Sequence, residues 1–207
     1  MTTAYLIDCM EFMAAQPSGA FDLAIVDPPY GLESFRYVRA SSLIGFDSGA
    51  WNNNKPDEAY FRELFRVSKR QIIWGANNFS LPETEYFVVW DKQQSVDNFA
   101  SAEYAWTNCK QPAKVFRYSI ARTQADRKAE GGKIHPTQKP VALYEWLLNT
   151  YAKPGERILD THLGSGSSRI AAYNLGFDFT GCEIDETFFK LQEERFAART
   201  AQTSLFV

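Results

Sequence analysis

Asp27-Pro28-Pro29-Tyr30 follows the apolar run Leu23-Ala24-Ile25-Val26. The run predicts a buried strand, and the tetrapeptide a rigid loop at its end. Two consecutive prolines donate no backbone hydrogen bonds and fix two φ angles, and the residue before each is driven toward extended backbone. A carboxylate, peptide carbonyls and a phenol ring are thereby held in one geometry. Such a loop can accept hydrogen bonds from an amino group while an aromatic face stacks on a planar base. That is the requirement for chemistry on the exocyclic amine of a nucleobase. Pro-Pro-Tyr-Gly is also good turn chemistry, so these residues alone leave both readings open.

Two further segments carry chemistry. After Arg157-Ile158-Leu159 comes Asp160-Thr161-His162-Leu163-Gly164-Ser165-Gly166-Ser167-Ser168, which opens into Arg169-Ile170-Ala171-Ala172. This reads as a strand, a glycine turn and a helix N-terminus, where free N–H groups favour a carboxylate or phosphate. The third glycine of the dinucleotide fingerprint is missing, since position 169 is Arg. Downstream, Gly181-Cys182-Glu183-Ile184-Asp185 ends a strand in an acid, where such folds place a ribose-hydroxyl acceptor. Glu183 suits that role, whereas Asp185 can instead cap the following helix. Upstream lies His135-Pro136-Thr137-Gln138-Lys139-Pro140. Thr137 reads as an N-cap and Pro140 as a first-turn proline, while Thr137 and Lys139 also offer a hydroxyl and a cation beside a helix start.

The elements that must position these residues alternate in type. Strand-like runs are Ala4–Ile7, Leu23–Val26, Gln71–Trp74, Tyr86–Trp90, Tyr104–Trp106, Val115-Phe116, Arg157–Leu159 and Phe179–Cys182. Helical patterns span Asp57–Val67, Pro140–Tyr151, Ser168–Asn174 and Glu186 to about Arg199. The alternation predicts an α/β domain with a mostly parallel sheet, and the closely spaced runs from Tyr86 onward suggest an antiparallel edge. Residues 31–56 and 119–134 read as long surface loops. Trp74 is either a wall of a base pocket or a core tryptophan; Phe35, Tyr37 and Trp51 could close over a base.

The 207 residues suffice for one α/β domain and argue against two. No transmembrane stretch or leader segment is read. Three widely spaced cysteines, Cys9, Cys109 and Cys182, form neither a disulfide framework nor a metal pattern, so a reducing cytoplasm is expected. With only two histidines besides these, no zinc site is expected. The net charge of −3 argues against a generally basic nucleic-acid binder, yet residues 110–139 carry +6 by themselves. A basic segment on an acidic body is how a phosphate-contacting surface looks in sequence; a solvated loop is the plainer alternative.

In the order Asp27–Tyr30, His135–Pro140, Asp160–Ser168, the three segments together resemble the β-class DNA amino methyltransferases that use S-adenosylmethionine. That family shows Asp-Pro-Pro-Tyr, then His-Pro-Thr-Gln-Lys-Pro, then Asp-Pro-Phe-x-Gly-Ser-Gly-Thr-Thr. Thr161-His162 here replaces Pro-Phe, and Ser167-Ser168 replaces Thr-Thr. The resemblance implies a Rossmann-like class I methyltransferase fold in circularly permuted order. Its mostly parallel seven-stranded sheet would have an antiparallel edge and helices on both faces, within a single catalytic domain. It implies a catalytic set of Asp27, Pro28, Pro29 and Tyr30. Cofactor contacts would come from Asp8, Cys9, His135, Thr137, Lys139, Asp160, Leu163, Gly164, Ser165, Gly166, Ser167 and Glu183. A small recognition segment at about 117–134 would contact double-stranded DNA through Arg117, Arg122, Arg127 and Lys128. No metal is implied, the product would be S-adenosylhomocysteine, and a homodimer is expected. Asp at the first catalytic position, where cytosine-N4 enzymes often carry Ser, favours adenine N6. The same pocket would serve a cytosine-N4 or RNA-base methyltransferase, and the same fold a non-catalytic DNA-binding module.

Overall fold

Leu23–Val26 is buried at every position, as expected of a strand covered on both faces. It is strand β2 of the computed structural model, which describes residues 1–31, 55–97 and 100–203. Ahead of it lie β1 (Thr2–Leu6) and α1 (Cys9–Ala14). After it come α2 (Glu58–Val67), β3 (Gln71–Trp74), β4 (Phe87–Asp91), β5 (Ala102–Thr107), β6 (Lys114–Arg117) and α3 (Ile120–Ala129). The chain continues through α4 (Val141–Tyr151), β7 (Arg157–Asp160), α5 (Ser167–Asn174), β8 (Asp178–Glu183) and α6 (Glu186–Thr203).

The strands form one sheet ordered β1-β8-β7-β2-β3-β5-β4-β6. The first five are mutually parallel; β5 runs antiparallel to β3 and β4, and β6 lies parallel to β4. This is the permuted order that the resemblance implied: β7 and β8, last in the chain, insert between β1 and β2. The sheet has one strand more than the seven expected, because Lys114–Arg117 adds outside β4.

Side chains on successive residues of a strand face opposite ways, and the core divides accordingly. Leu23, Ile25, Ile72, Trp74 and Ile158 pack with Leu143, Leu147 and Leu148 of α4 and Ile170 of α5. Ala24, Val26, Ile73 and Leu159 pack on the other face with Phe12 and Met13 of α1 and with Tyr60, Phe61 and Leu64 of α2. Helices thus cover both faces, and the carboxyl ends of β1, β8, β7 and β2 line up along one edge. Among the described residues no helix is long and apolar enough to cross a membrane.

Two elements differ from expectation. The stretch 119–134 is not a loop throughout: Ser119 accepts a hydrogen bond from the Arg122 amide and caps α3. Only Thr123 of that helix is buried, so its sequence lacks the apolar stripe that marks a helix; contacts from elsewhere in the chain hold it. The six-residue α1 is too short to show a period, and Asp8 starts it by accepting from the Met10 and Glu11 amides. The α4 start differs as well. Pro140 is its N-cap without a side-chain hydrogen bond, and Thr137 lies outside it.

Candidate active site

Asp8 follows β1, Asp27 follows β2, Asp160 ends β7 and Glu183 ends β8. Because those four strands are parallel neighbours, four acids from distant parts of the chain gather at one edge of the sheet, where open α/β sheets arrange their sites. Asp8, Asp27 and Glu183 line the crevice, and Asp160 is enclosed behind it. A cleft of about 360 Å³ opens there, lined by Asp8, Cys9, Asp27, His135, Thr137, Lys139, Leu163, Gly164, Ser165 and Glu183 among others.

At one end of the cleft Asp27 has both oxygens engaged. Its Oδ1 accepts from the Tyr30 hydroxyl at 2.5 Å, and its Oδ2 pairs with Lys139 Nζ. Lys139 is 4% exposed and also faces Glu103 Oε2 at 3.1 Å, while Lys92 Nζ sits 2.6 Å from Glu103 Oε1. Charges therefore alternate along Asp27, Lys139, Glu103 and Lys92. Burial pushes the Lys139 ammonium pKa down, but Asp27 and Glu103 outweigh it and raise the value. For Glu103 burial is likewise overcome, by Lys139 and Lys92, leaving the carboxyl at about 2. Lys139, expected among cofactor contacts, lines the cleft, and its ammonium reaches the Asp27–Tyr30 loop. Glu103 and Lys92 had no sequence signal, since an acid within a strand and a lysine after another look like surface residues.

Tyr30 is fixed by a close approach. Gly75, after β3, has φ +66, and a Cβ there would come within 2.0 Å of the Tyr30 ring. Only glycine admits the ring at that distance. Burial, then Asp27 and Glu103, raises the Tyr30 phenol pKa well above its ordinary value. Trp74 proves to be a core residue with its ring 5.6 Å from Lys139 Nζ. Phe35, Tyr37 and Trp51 lie outside the described residues.

The glycine turn connects the crevice to α5. Gly164 and Gly166 have positive φ, and a Cβ would touch His135 at the first and press on Gln192 at the second. Gly166 begins α5 without a side-chain cap, which leaves helix N–H groups for an anionic ligand. Ser165 and Ser167 share a 3.1 Å hydrogen bond, and Ser167 also donates to the Lys139 carbonyl. Glu183 Oε2 accepts from the Gly164 amide, and its Oε1 from the Ile184 and Asp185 amides. Burial raises its pKa against these three donors. Asp185 caps α6 through the Thr187 and Phe188 amides, the alternative open in the sequence. His135 stacks edge-on against Phe188 at 4.3 Å, and Thr137 Oγ1 lies 3.2 Å from its Nδ1. Burial, then Lys139 and Lys133, lowers the His135 pKa to about 3. Cys9 is mostly enclosed, and burial and Asp8 push its thiol up to about 12. Asp8 itself serves as the α1 cap. Tyr144 of α4, not anticipated from sequence, lines the cleft beside Asp160 and Asp27.

The basic residues divide. Arg117, Arg122 and Lys128 are exposed on β6 and α3, whereas Arg127 bonds the Gln138 carbonyl. At the end of α3, Glu130 pairs with buried Arg195 of α6, which in turn donates to the Ser165 carbonyl. The end of α3 and the glycine turn are thus mechanically joined.

Residues 71–194 match the N6/N4 methyltransferase family described as DNA methylase. The chain is 26% identical to YubD of Escherichia coli K12, across 92% of this chain and 88% of YubD. Its fold matches the crystal structure of the M1.HpyAVI–SAM complex with a TM-score of 0.60 and 20% identity, covering 94% of this chain and 100% of that one. The cytosine-N4-specific PvuII DNA methyltransferase matches at 0.61 with 13% identity, over 94% of this chain and 86% of that one.

Two predictions follow from the buried charges. Asp160 is enclosed, and burial, opposed by Ser168 and the His162 amide, raises its carboxyl from 3.8 to about 7. The folded chain holds this proton where the unfolded chain has released it, so the contribution to stability is full below about pH 4 and lost as pH rises through about 7. Asp160→Asn should therefore raise the melting temperature more at pH 8 than at pH 4, and an equal change at both would contradict the assignment. Lys139→Met leaves Asp27 and Glu103 without their shared cation. Urea unfolding should show a loss of about 3–5 kcal/mol; a loss under about 1 kcal/mol, typical of surface pairs, would refute it.

Proposed function

The chain belongs to the N6/N4 DNA methylase family, and from that premise we propose that it transfers a methyl group from S-adenosylmethionine to adenine N6 in double-stranded DNA. The observation that carries this reading is Asp27, held by Lys139 at the mouth of the cleft with an acceptor oxygen beside Tyr30. Since the cytosine-N4-specific PvuII DNA methyltransferase matches the fold, fold alone does not select adenine, and it is the acid at position 27 that favours it.

The cleft fits the cofactor in three respects. The uncapped α5 terminus suits a carboxylate, Glu183 suits ribose hydroxyls, and the acids lining the cleft, Asp8 and Asp57 among them, suit a cation. When bound, S-adenosylmethionine supplies an electrophilic methyl group already activated by positive charge. The protein's own work is positional. A base extruded from the duplex stacks on the Tyr30 face opposite Gly75. Its amino group donates to Asp27 Oδ1, released by the Tyr30 hydroxyl, and to the Pro28 carbonyl. Both acceptors draw the amino protons away from the ring plane, which would leave the nitrogen lone pair free for the methyl. The proton shed by the nitrogen as the thioether departs would pass by way of Asp27 Oδ1 to solvent. Lys139 keeps Asp27 oriented as an acceptor. Orientation and proximity account for much of the rate. Arg117, Arg122 and Lys128 face the DNA backbone, and Arg127 braces the helix that carries two of them.

Methylation of unmodified DNA followed by nucleoside mass spectrometry should yield N6-methyladenine. N4-methylcytosine would overturn the base assignment but keep the chemistry, and neither product would overturn both. Asp27→Asn should cut turnover at least about 100-fold while S-adenosylhomocysteine affinity holds within a few-fold; retained turnover would refute the role of Asp27. Tyr30→Phe keeps the stacking face and frees Asp27, so turnover should hold within a few-fold. Tyr30→Ala should raise KM for DNA by the loss of about 1–3 kcal/mol of stacking. Equal behaviour of the two variants would argue against a stacking role.

A further inference from the structure

Thr161 and His162 stand where the resembling family has Pro and Phe, neither of which offers a side-chain hydrogen bond. Here they form a relay with α2. The Tyr60 hydroxyl lies 2.6 Å from Thr161 Oγ1, and Thr161 Oγ1 lies 2.9 Å from His162 Nδ1. Tyr60 and Thr161 are buried, the Tyr60 and His162 rings meet edge-on at 5.3 Å, and His162 lines the cleft.

Proton counting fixes the relay's direction. Tyr60 has one hydroxyl proton, and its hydrogen-bond partner is Thr161. If the phenol accepted instead of donating, its proton would be buried without an acceptor, which costs the desolvation of that group. Thr161 Oγ1 therefore accepts from Tyr60. Because Thr161 is itself buried with His162 Nδ1 as its other partner, its own proton goes to Nδ1; accepting there too would leave that proton without an acceptor. A neutral imidazole whose Nδ1 accepts must carry hydrogen on Nε2. Among the described residues Nε2 has no partner. Burial lowers the His162 pKa to about 4, with Asp8 pulling the other way, in keeping with a neutral ring.

We propose that the Tyr60–Thr161–His162 relay locks His162 as a neutral hydrogen-bond donor that reads a purine ring nitrogen of the ligand in the cleft. A neutral donor complements an acceptor and gains nothing beside a sulfonium. Asp8, whose charge acts on His162, follows β1, next to the β8 end that carries Glu183. With ribose hydroxyls matched to the Glu183 acid, the strongest remaining acceptors of adenosine are ring nitrogens, since the ribose ring ether is a weaker one. This assignment of the ligand rests on the cofactor reading above; the tautomer does not.

Two measurements separate the two parts. With only His135 and His162 in the chain, nitrogen-15 NMR of the imidazoles, assigned with His162→Phe, reports the tautomer in the ligand-free protein. Nε2–H is expected, with loss of that single tautomer in Tyr60→Phe and Thr161→Val; Nδ1–H in the wild type overturns the relay. Calorimetry then compares S-adenosylhomocysteine with its 1-deaza, 3-deaza and 7-deaza analogues. Wild type should lose roughly three- to tenfold affinity, one neutral hydrogen bond, for one analogue. His162→Phe should bind the parent that much more weakly and not distinguish that analogue. Full parent affinity in His162→Phe overturns the contact, and a wild type that binds no S-adenosylhomocysteine overturns the cofactor reading instead.

Discussion

The rest of the site depends on one buried cation. Lys139 joins three pieces of chain that are far apart in sequence: the loop after β2 through Asp27, the start of β5 through Glu103, and the turn into α4 through its own backbone. An ammonium so enclosed persists only when paired, and the two acids beside it would repel each other without it. The arrangement is mutually dependent: the cation holds the acids, and the acids keep the cation charged. Tyr30 is set by the same contact, because its hydroxyl shares Asp27 and its ring is trapped between that bond and Gly75.

A second constraint comes from sheet topology. Placing β7 and β8 between β1 and β2 brings Asp160 and Glu183 alongside Asp8 and Asp27. The Asp27–Tyr30 loop and the glycine turn thereby come to the same edge of the sheet, beside one cleft. Arg195 carries the connection outward, binding the glycine turn at Ser165 and Ser167 and the end of α3 at Glu130. A basic helix with almost no core of its own is thus anchored by polar contacts to the element beneath it.

Much of this was legible in the residues. Buried strands announce themselves as short apolar runs between turn signals, and the runs at 23–26, 71–74 and 157–159 matched their strands to within a residue. Paired prolines and positive-φ glycines mark loops through local sterics, so the three motif segments could be found without a fold. The short α1 and the polar α3 could not, since one lacks a full period and the other an apolar face. The role of Thr137 at the α4 start was misread for a similar reason: several cap-competent residues lay within a few positions, and packing chose Pro140.

The sequence by itself determined the strands, the rigid Asp-Pro-Pro-Tyr loop, the glycine turn and the order in which they occur, because each is governed by neighbouring residues. Tertiary structure alone decided which partners those residues meet. Glu103 on Lys139, Gly75 against Tyr30 and Tyr60 behind Thr161 are contacts across roughly 36, 45 and 100 residues of chain. Long-range pairings of this kind leave no period and no local propensity in the sequence, and it is the folded sheet, by bringing distant strand ends to one edge, that creates them.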